Sequence, residues 1–135
     1  HKVVVMGGTV PGHTTDAVSA ILAERVGAVR FVNCTNVDGI YTADPRKDPK
    51  AEFLAEVGYQ DANVRGLGVM DANAFALCKD NGLPIQVFNI NQPGATARVL
   101  AGERVGTIGS GLDDLHGFVF LFMLARTLGL ALSSP

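Results

Sequence analysis

The sequence has no basic excess, almost no cysteine and no apolar run of membrane-spanning length, and each absence removes a class of function. Eleven Lys and Arg stand against thirteen Asp and Glu, a formal net charge of −2, and the pI is near 5.8. A surface that grips nucleic acid or an anionic bilayer carries the opposite balance, so no nucleic-acid or membrane partner is expected. Any phosphate that binds must be held locally. The two cysteines, Cys34 and Cys78, fall in no metal or redox spacing. They read as small buried thiols, suited to a reducing, cytoplasmic setting, and no metal site made of protein ligands is expected. The most apolar stretch, 117–132 (GFVFLFMLARTLGLAL), has 16 residues and contains Arg126, short of the roughly 20 a membrane helix needs. It reads as a packed terminal helix or as sequence foreign to the domain, with membrane association the remaining alternative. No signal-peptide pattern opens the chain, which starts at His1 and enters an apolar strand almost at once. It reads as a fragment cut close to its first strand.

What is present suits one domain: 135 residues, 47% of them hydrophobic, can bury a core. Residues 2–6 (KVVVM) form a short β-branched run, the pattern of a strand buried on both faces of a parallel sheet. From 16 to 26, Val18, Ile21, Leu22 and Val26 recur at helical spacing, with Thr14 or Thr15 as N-cap and Gly27 as the stop. Residues 30–35 (RFVNCT) supply a second strand, completing a βαβ unit whose right-handed crossover puts the intervening loop at the carboxyl edge of the sheet. Beyond it come an Asp38-Gly39 turn, a short extension at 40–42, and a polar loop with two Asp-Pro steps. A weak helix is expected at 59–64. A firmer one follows Asp71, with Phe75 and Leu77 in the core, Gly82 just past its end and Pro84 blocking continuation. Residues 85–89 (IQVFN) form a third buried strand, Pro93 and Gly94 open a short helix through Leu100, and 105–108 is a last, edge strand. The sum is α/β with a mostly parallel sheet.

The loop of the βαβ unit, GGTVPGHTTDA at 7–17, holds three glycines and three threonines. Glycine lets backbone approach a ligand, hydroxyls and free N–H groups donate hydrogen bonds, and the helix that follows points its positive end back at the loop. Those are the needs of an anion, above all a phosphate.

Three stretches, GGTVPGHTTDA, TNVDGIYTADPRKDPKA and VMDANAFALCKDNGLPIQVFNINQPGATARVLAGERVGT, occur in that order. Together, over about residues 2–110, they resemble the carboxyl-terminal part of the uridylate (UMP) kinases of the amino acid kinase family. The first motif, with PGHTTD, resembles the archaeal form, and the VMD helix with the ending that follows it resembles the bacterial one. The resemblance implies a three-layer αβα architecture with a mostly parallel sheet, the carbamate kinase-like fold in part. Residues 1–110 would be the carboxyl-terminal, nucleotide-binding part of the domain, with 111–135 an apolar tail whose origin stays open. It implies transfer of the γ-phosphoryl group of ATP to UMP with Mg2+, in pyrimidine nucleotide synthesis in the cytoplasm, by a homo-oligomer that is hexameric in the family.

Carried over residue by residue, the resemblance makes Gly8, Thr9, Val10, Pro11, Gly12, His13, Thr14 and Thr15 the UMP-binding residues. Thr35, Asn36, Tyr41 and Asp44 become the ATP-binding residues, with Tyr41 facing the adenine. Asp16 resembles the aspartate that helps orient catalytic lysines, and Asp71 one placed near the phosphates and metal. The acceptor in such a reaction is already an anionic oxygen, so His13 is not needed as a general base. What is needed is charge compensation, since two unit charges at 4 Å interact by roughly 4 kcal/mol at an effective dielectric of 20. Here the sequence departs from the family: the K-x-S-G segment that begins its members is not in this chain, and Gly68 stands where bacterial members often carry lysine. The chain alone is therefore expected to be inactive.

Plainer readings stand beside these. Asp38 can be a turn residue accepting local backbone bonds, Asp71 only an N-cap, and Arg46 and Lys47 part of a solvated loop. Asn89 and Asn91 face a ligand or close a loop. Two other functions stay open: a non-catalytic nucleotide-binding or storage member of the fold, and a family member with a carboxylate acceptor, although PGHTTD offers no arginine to read one.

Overall fold

The computed structural model describes residues 6–9, 11–68 and 70–111. The strand expected at 2–6 and the apolar tail lie outside the described residues, apart from Met6 and Gly111, and so does Val10.

The first described helix, α1 (Thr15–Arg25), begins where Thr14 accepts a hydrogen bond from the Ala17 amide at 3.1 Å and ends at Gly27, with φ near +64°. It leads into β1 (Phe31–Thr35), then into a two-stranded antiparallel hairpin of β2 (Ile40–Tyr41) and β3 (Phe53–Leu54). β4 (Glu56–Gly58) and α2 (Tyr59–Val64) follow, and then α3 (Ala72–Asp80), capped by Asp71. The chain continues through β5 (Ile85–Asn89), α4 (Ala95–Leu100) and β6 (Thr107–Ser110).

The main sheet has the order β1-β5-β6-β4. β1 runs parallel to β5 with Phe31 opposite Ile85, β4 runs parallel to β6, and β5 meets β6 antiparallel. The sheet is thus mostly parallel, as expected, but β6 is an interior strand and not an edge. Its short TIGS run carries no signal of the β4 that pairs on its far side.

Alternation along β5 separates two layers of core. Ile85 and Val87 join one cluster with Ala20 of α1, Ala62 of α2, Ala74 and Cys78 of α3, and Phe31, Ile40 and Val57. Phe88 points the other way, into a cluster with Ala95 and Val99 of α4 and Val105. Helices on both faces of the sheet give the αβα layering. Gln86, fully buried, donates through Nε2 to the carbonyls of Glu103 at 3.0 Å and Val105 at 2.9 Å and accepts from the Arg30 guanidinium. It fastens the approach to β6 onto β5. At Gly106 a side chain is impossible: a Cβ would lie 2.0 Å from the Val87 carbonyl oxygen, and φ is +77°.

Three expectations about burial are corrected. The α1 face turned inward is Ala17, Val18 and Ala20, whereas Ile21 and Val26 are 39% and 61% exposed. Small residues on α1 meet Ala74 and Cys78 of α3, so close approach of two helices, not bulk, decides which face is inside. Phe75 and Leu77 are half-buried at the margin of that cluster. Cys34 is exposed, while Cys78 is buried as expected.

Candidate functional site

Each helix that precedes a parallel strand runs back across the sheet, so α1 and α3 start near the edge where β1 and β5 end. That edge gathers the glycine-threonine loop, Asp71, Thr35 and Asn89, the arrangement in which open α/β sheets bind ligands.

On one side of it Gly8, Thr9, Pro11, Gly12, His13, Thr14 and Thr15 are all exposed. Gly12 has φ near +91°, and a Cβ at Gly7, Gly8 or Gly12 would meet nothing within 4 Å. The loop therefore presents bare backbone outward. Thr14 spends one lone pair on its helix cap, and Thr15 is the first helical residue.

Asp16, one residue further on, reaches across the fold: its Oδ2 accepts a hydrogen bond from the Asp71 backbone amide at 3.2 Å. Asp71 in turn caps α3, its Oδ1 accepting from the Asn73 and Ala74 amides at 3.0 and 3.2 Å. The capping reading of Asp71 is thus realised, and the two carboxylates expected to act in catalysis are brought together by a backbone contact. Each keeps a second oxygen that these bonds do not use.

On the other side lies an open depression of about 320 Å³ lined by Asn36, Val37, Asp38, Tyr41, Pro45, Arg46 and Asn89. Of the four residues expected at the ATP site, Asn36 and Tyr41 line it. The Tyr41 ring rests edge-on against Phe53, with centroids 5.5 Å apart. Thr35 does not line it: its hydroxyl donates to the Val37 carbonyl at 2.7 Å and accepts from the Val37 amide at 3.2 Å, which shapes the loop from behind.

Asp44 is turned into its own loop, accepting from the Arg46 amide at 3.0 Å and the Arg46 Nε at 3.4 Å, with Lys47 Nζ at 3.8 Å. The Arg46 amide bond lowers its carboxyl below the ordinary value; desolvation opposes this, and the side chain of Arg46 and the charge of Lys47 add to the lowering. Arg46 and Lys47 are therefore partners of Asp44 and not merely solvated. Asp38 is expected to be a turn residue with local backbone bonds. Instead its Oδ1 accepts from two distant side chains, Asn89 Nδ2 at 2.9 Å and Gln92 Nε2 at 2.8 Å. No local pattern could reveal a contact across more than fifty residues.

Among the described residues, no group of three or more His, Cys, Asp or Glu could hold a metal ion. No helix of the described residues is long and apolar enough to cross a membrane.

The order of these parts is matched in known proteins. Residues 1–89 match the sequence model of the Amino acid kinase family. The chain belongs to the amino acid kinase family. Within the solved structures it is similar to a UMP kinase from Bacillus anthracis, at 34% identity over 78% of this chain and 43% of that one, with a TM-score of 0.71. A UMP kinase from Ureaplasma parvum is similar at 37% identity, over 74% of this chain and 43% of its own, with a TM-score of 0.68. The uridylate kinase from Archaeoglobus fulgidus is similar at 38% identity, over 78% of this chain and 50% of its own, with a TM-score of 0.67. The resemblance read from the three motifs is borne out, as is the α/β fold of this amino acid kinase. The chain spans half or less of the length of these three proteins.

Proposed function

We propose that this chain is the nucleotide-binding part of a UMP kinase, which transfers the γ-phosphoryl group of ATP to UMP and releases UDP and ADP. The observation that carries the reading is the likeness to UMP and uridylate kinases, at 34–38% identity over about three quarters of the chain. The geometry supports it with two adjoining sites on one sheet edge, of different character.

The exposed glycine-threonine loop suits the UMP phosphate, which needs several N–H and O–H donors and no base. The depression beside Tyr41 and Asn36 suits the ATP base, an aromatic wall with an amide to hydrogen-bond an edge. Asp16 positions: its bond to the Asp71 amide ties the start of α1, which follows the acceptor loop, to the start of α3. In-line transfer depends on holding two anionic reactants in register, so a tie of this kind serves alignment. Mg2+ is ordinarily held by one or two carboxylates plus substrate phosphates, and the second oxygens of Asp71 and Asp16 fit that pattern better than a protein cage would. When bound, it would neutralise charge on the transferring phosphoryl group. Further cations would come from the lysine-glycine segment that begins family members. The reading also places the enzyme in the cytoplasm, as a homo-oligomer.

The test is UDP formation from UMP and Mg-ATP by the chain extended to the length of its relatives, with aspartate, glutamate and carbamate as rival acceptors. UDP alone is expected. Phosphorylation of a carboxylate instead would overturn the assignment. Replacing Thr14→Ala with Thr15→Ala should raise the KM for UMP far more than that for ATP, and an equal rise in both would count against the acceptor loop.

A further inference from the structure

The 89–92 turn has hydrogen bonds of its own and is tied to the end of β1 by the Ile90 amide, which donates to the Thr35 carbonyl at 3.0 Å. Asn89 Oδ1 accepts from the Asn91 amide at 3.0 Å, and the Gln92 carbonyl accepts from the Ala95 amide at 3.1 Å as α4 begins. Opposite it, the 36–41 segment is anchored at both ends, by Thr35 at Val37 and by Thr107, whose hydroxyl oxygen accepts from the Ile40 amide at 2.8 Å. Between those anchors the side chain of Asp38 is held by Asn89 and Gln92, both on the same oxygen. Neutral donors fix the direction of a carboxylate while leaving its charge in place.

We propose that Asn89 and Gln92 are positioning residues of the depression. Their amides draw the Asp38 carboxylate onto the 89–92 turn, which sets the 36–41 wall in advance. They also keep a negative charge from swinging into space that a polyanionic nucleotide would fill. The inference rests on the ATP-site reading above, and its first test needs no nucleotide.

Amide hydrogen exchange is followed in the chain and in Asn89→Asp, which still accepts from the Asn91 amide but presents a carboxylate to Asp38. Exchange at Val37 and Ile40 should quicken about tenfold, the loss expected for a charge-assisted bond, with Val87 and Cys78 unchanged. Adding Asp38→Asn to Asn89→Asp exchanges donor and acceptor and should restore protection. Unchanged exchange in the single variant, or no recovery in a folded double variant, overturns the proposal. Should Asn89→Asp fail to fold, Gln92→Glu on the exposed turn carries the same comparison.

The same proteins are then titrated with Mg-ATP. Binding about tenfold weaker in Asn89→Asp and recovered in the double variant supports the role in preorganisation. Faster exchange with unchanged affinity overturns it. If the parent chain binds no ATP, the ATP-site reading fails, and the exchange data alone decide whether the two amides order the wall.

Discussion

The carboxylate of Asp16 accepts a hydrogen bond from the backbone amide of Asp71 at 3.2 Å, joining the first turns of two helices 55 residues apart in sequence. This contact ties the start of α1, which follows the glycine-threonine loop, to the start of α3. Asp16→Ala should lower stability by about 1.5–3 kcal/mol, the range for a hydrogen bond to a charged acceptor. Asp16→Asn, which keeps an oxygen in place, should cost less. Urea unfolding checks this as a shifted midpoint at constant m. In the extended enzyme Asp16→Ala should also lower kcat more than it alters either KM.

Asp71 is a cap as well as an anchor. Asp71→Ala removes the acceptor for the Asn73 and Ala74 amides and should cost about 1 kcal/mol. Asp71→Ser should recover most of that by the same unfolding assay. It should not recover activity if the carboxylate's second oxygen serves the metal-nucleotide complex.

Gly106 and Gly94 separate two costs. Both have φ near +77°, yet a Cβ at Gly106 would lie 2.0 Å from the Val87 oxygen and one at Gly94 would meet nothing within 4 Å. Gly94→Ala should cost about 1 kcal/mol from backbone strain alone. Gly106→Ala should cost several times more, because β5 or β6 must shift. Thermal unfolding of the two variants side by side measures the difference.

The thiols should differ in reactivity and in their effect on the pH dependence of stability. Cys34 is exposed and Cys78 buried, so one thiol per chain should react with an aromatic disulfide reagent in the native protein and two after unfolding. Burial pushes the Cys78 thiol from 9.0 up to about 11. Its contribution is therefore complete below pH 9 and lost as the pH rises through 11, because the unfolded chain gives up that proton first. Stability should fall in this window by at most about 1.4 kcal/mol per pH unit from this thiol. Tyr59, raised by its own burial and by Cys78, acts in the same direction at higher pH. Cys78→Ala should flatten the slope.

Local signals read most of the fold. Thr14, Gly27, Asp71, Gly82 and the β-branched run of β5 mark their elements because capping, left-handed glycine and full burial each leave a trace within a few residues. β3 and β4 left none, since runs of two or three residues have no period to detect. The inward face of α1 was misread because alanine packing is invisible to a search for large aliphatics.

Of the residues expected from the motif, Tyr41 and Asn36 line the depression, while Thr35 and Asp44 do not. The bonds from Asn89 and Gln92 to Asp38 left no trace in the sequence, because they exist only once β1 and β5 lie side by side.

In the proposed function the depression beside Tyr41 binds the ATP that would serve as phosphoryl donor. Calorimetric titration of this chain with Mg-ATP, with circular dichroism on the same sample, tests it most directly. Saturable binding of one nucleotide per chain, weakened by Tyr41→Ala, is the expected result. A folded chain that takes up no ATP would contradict it.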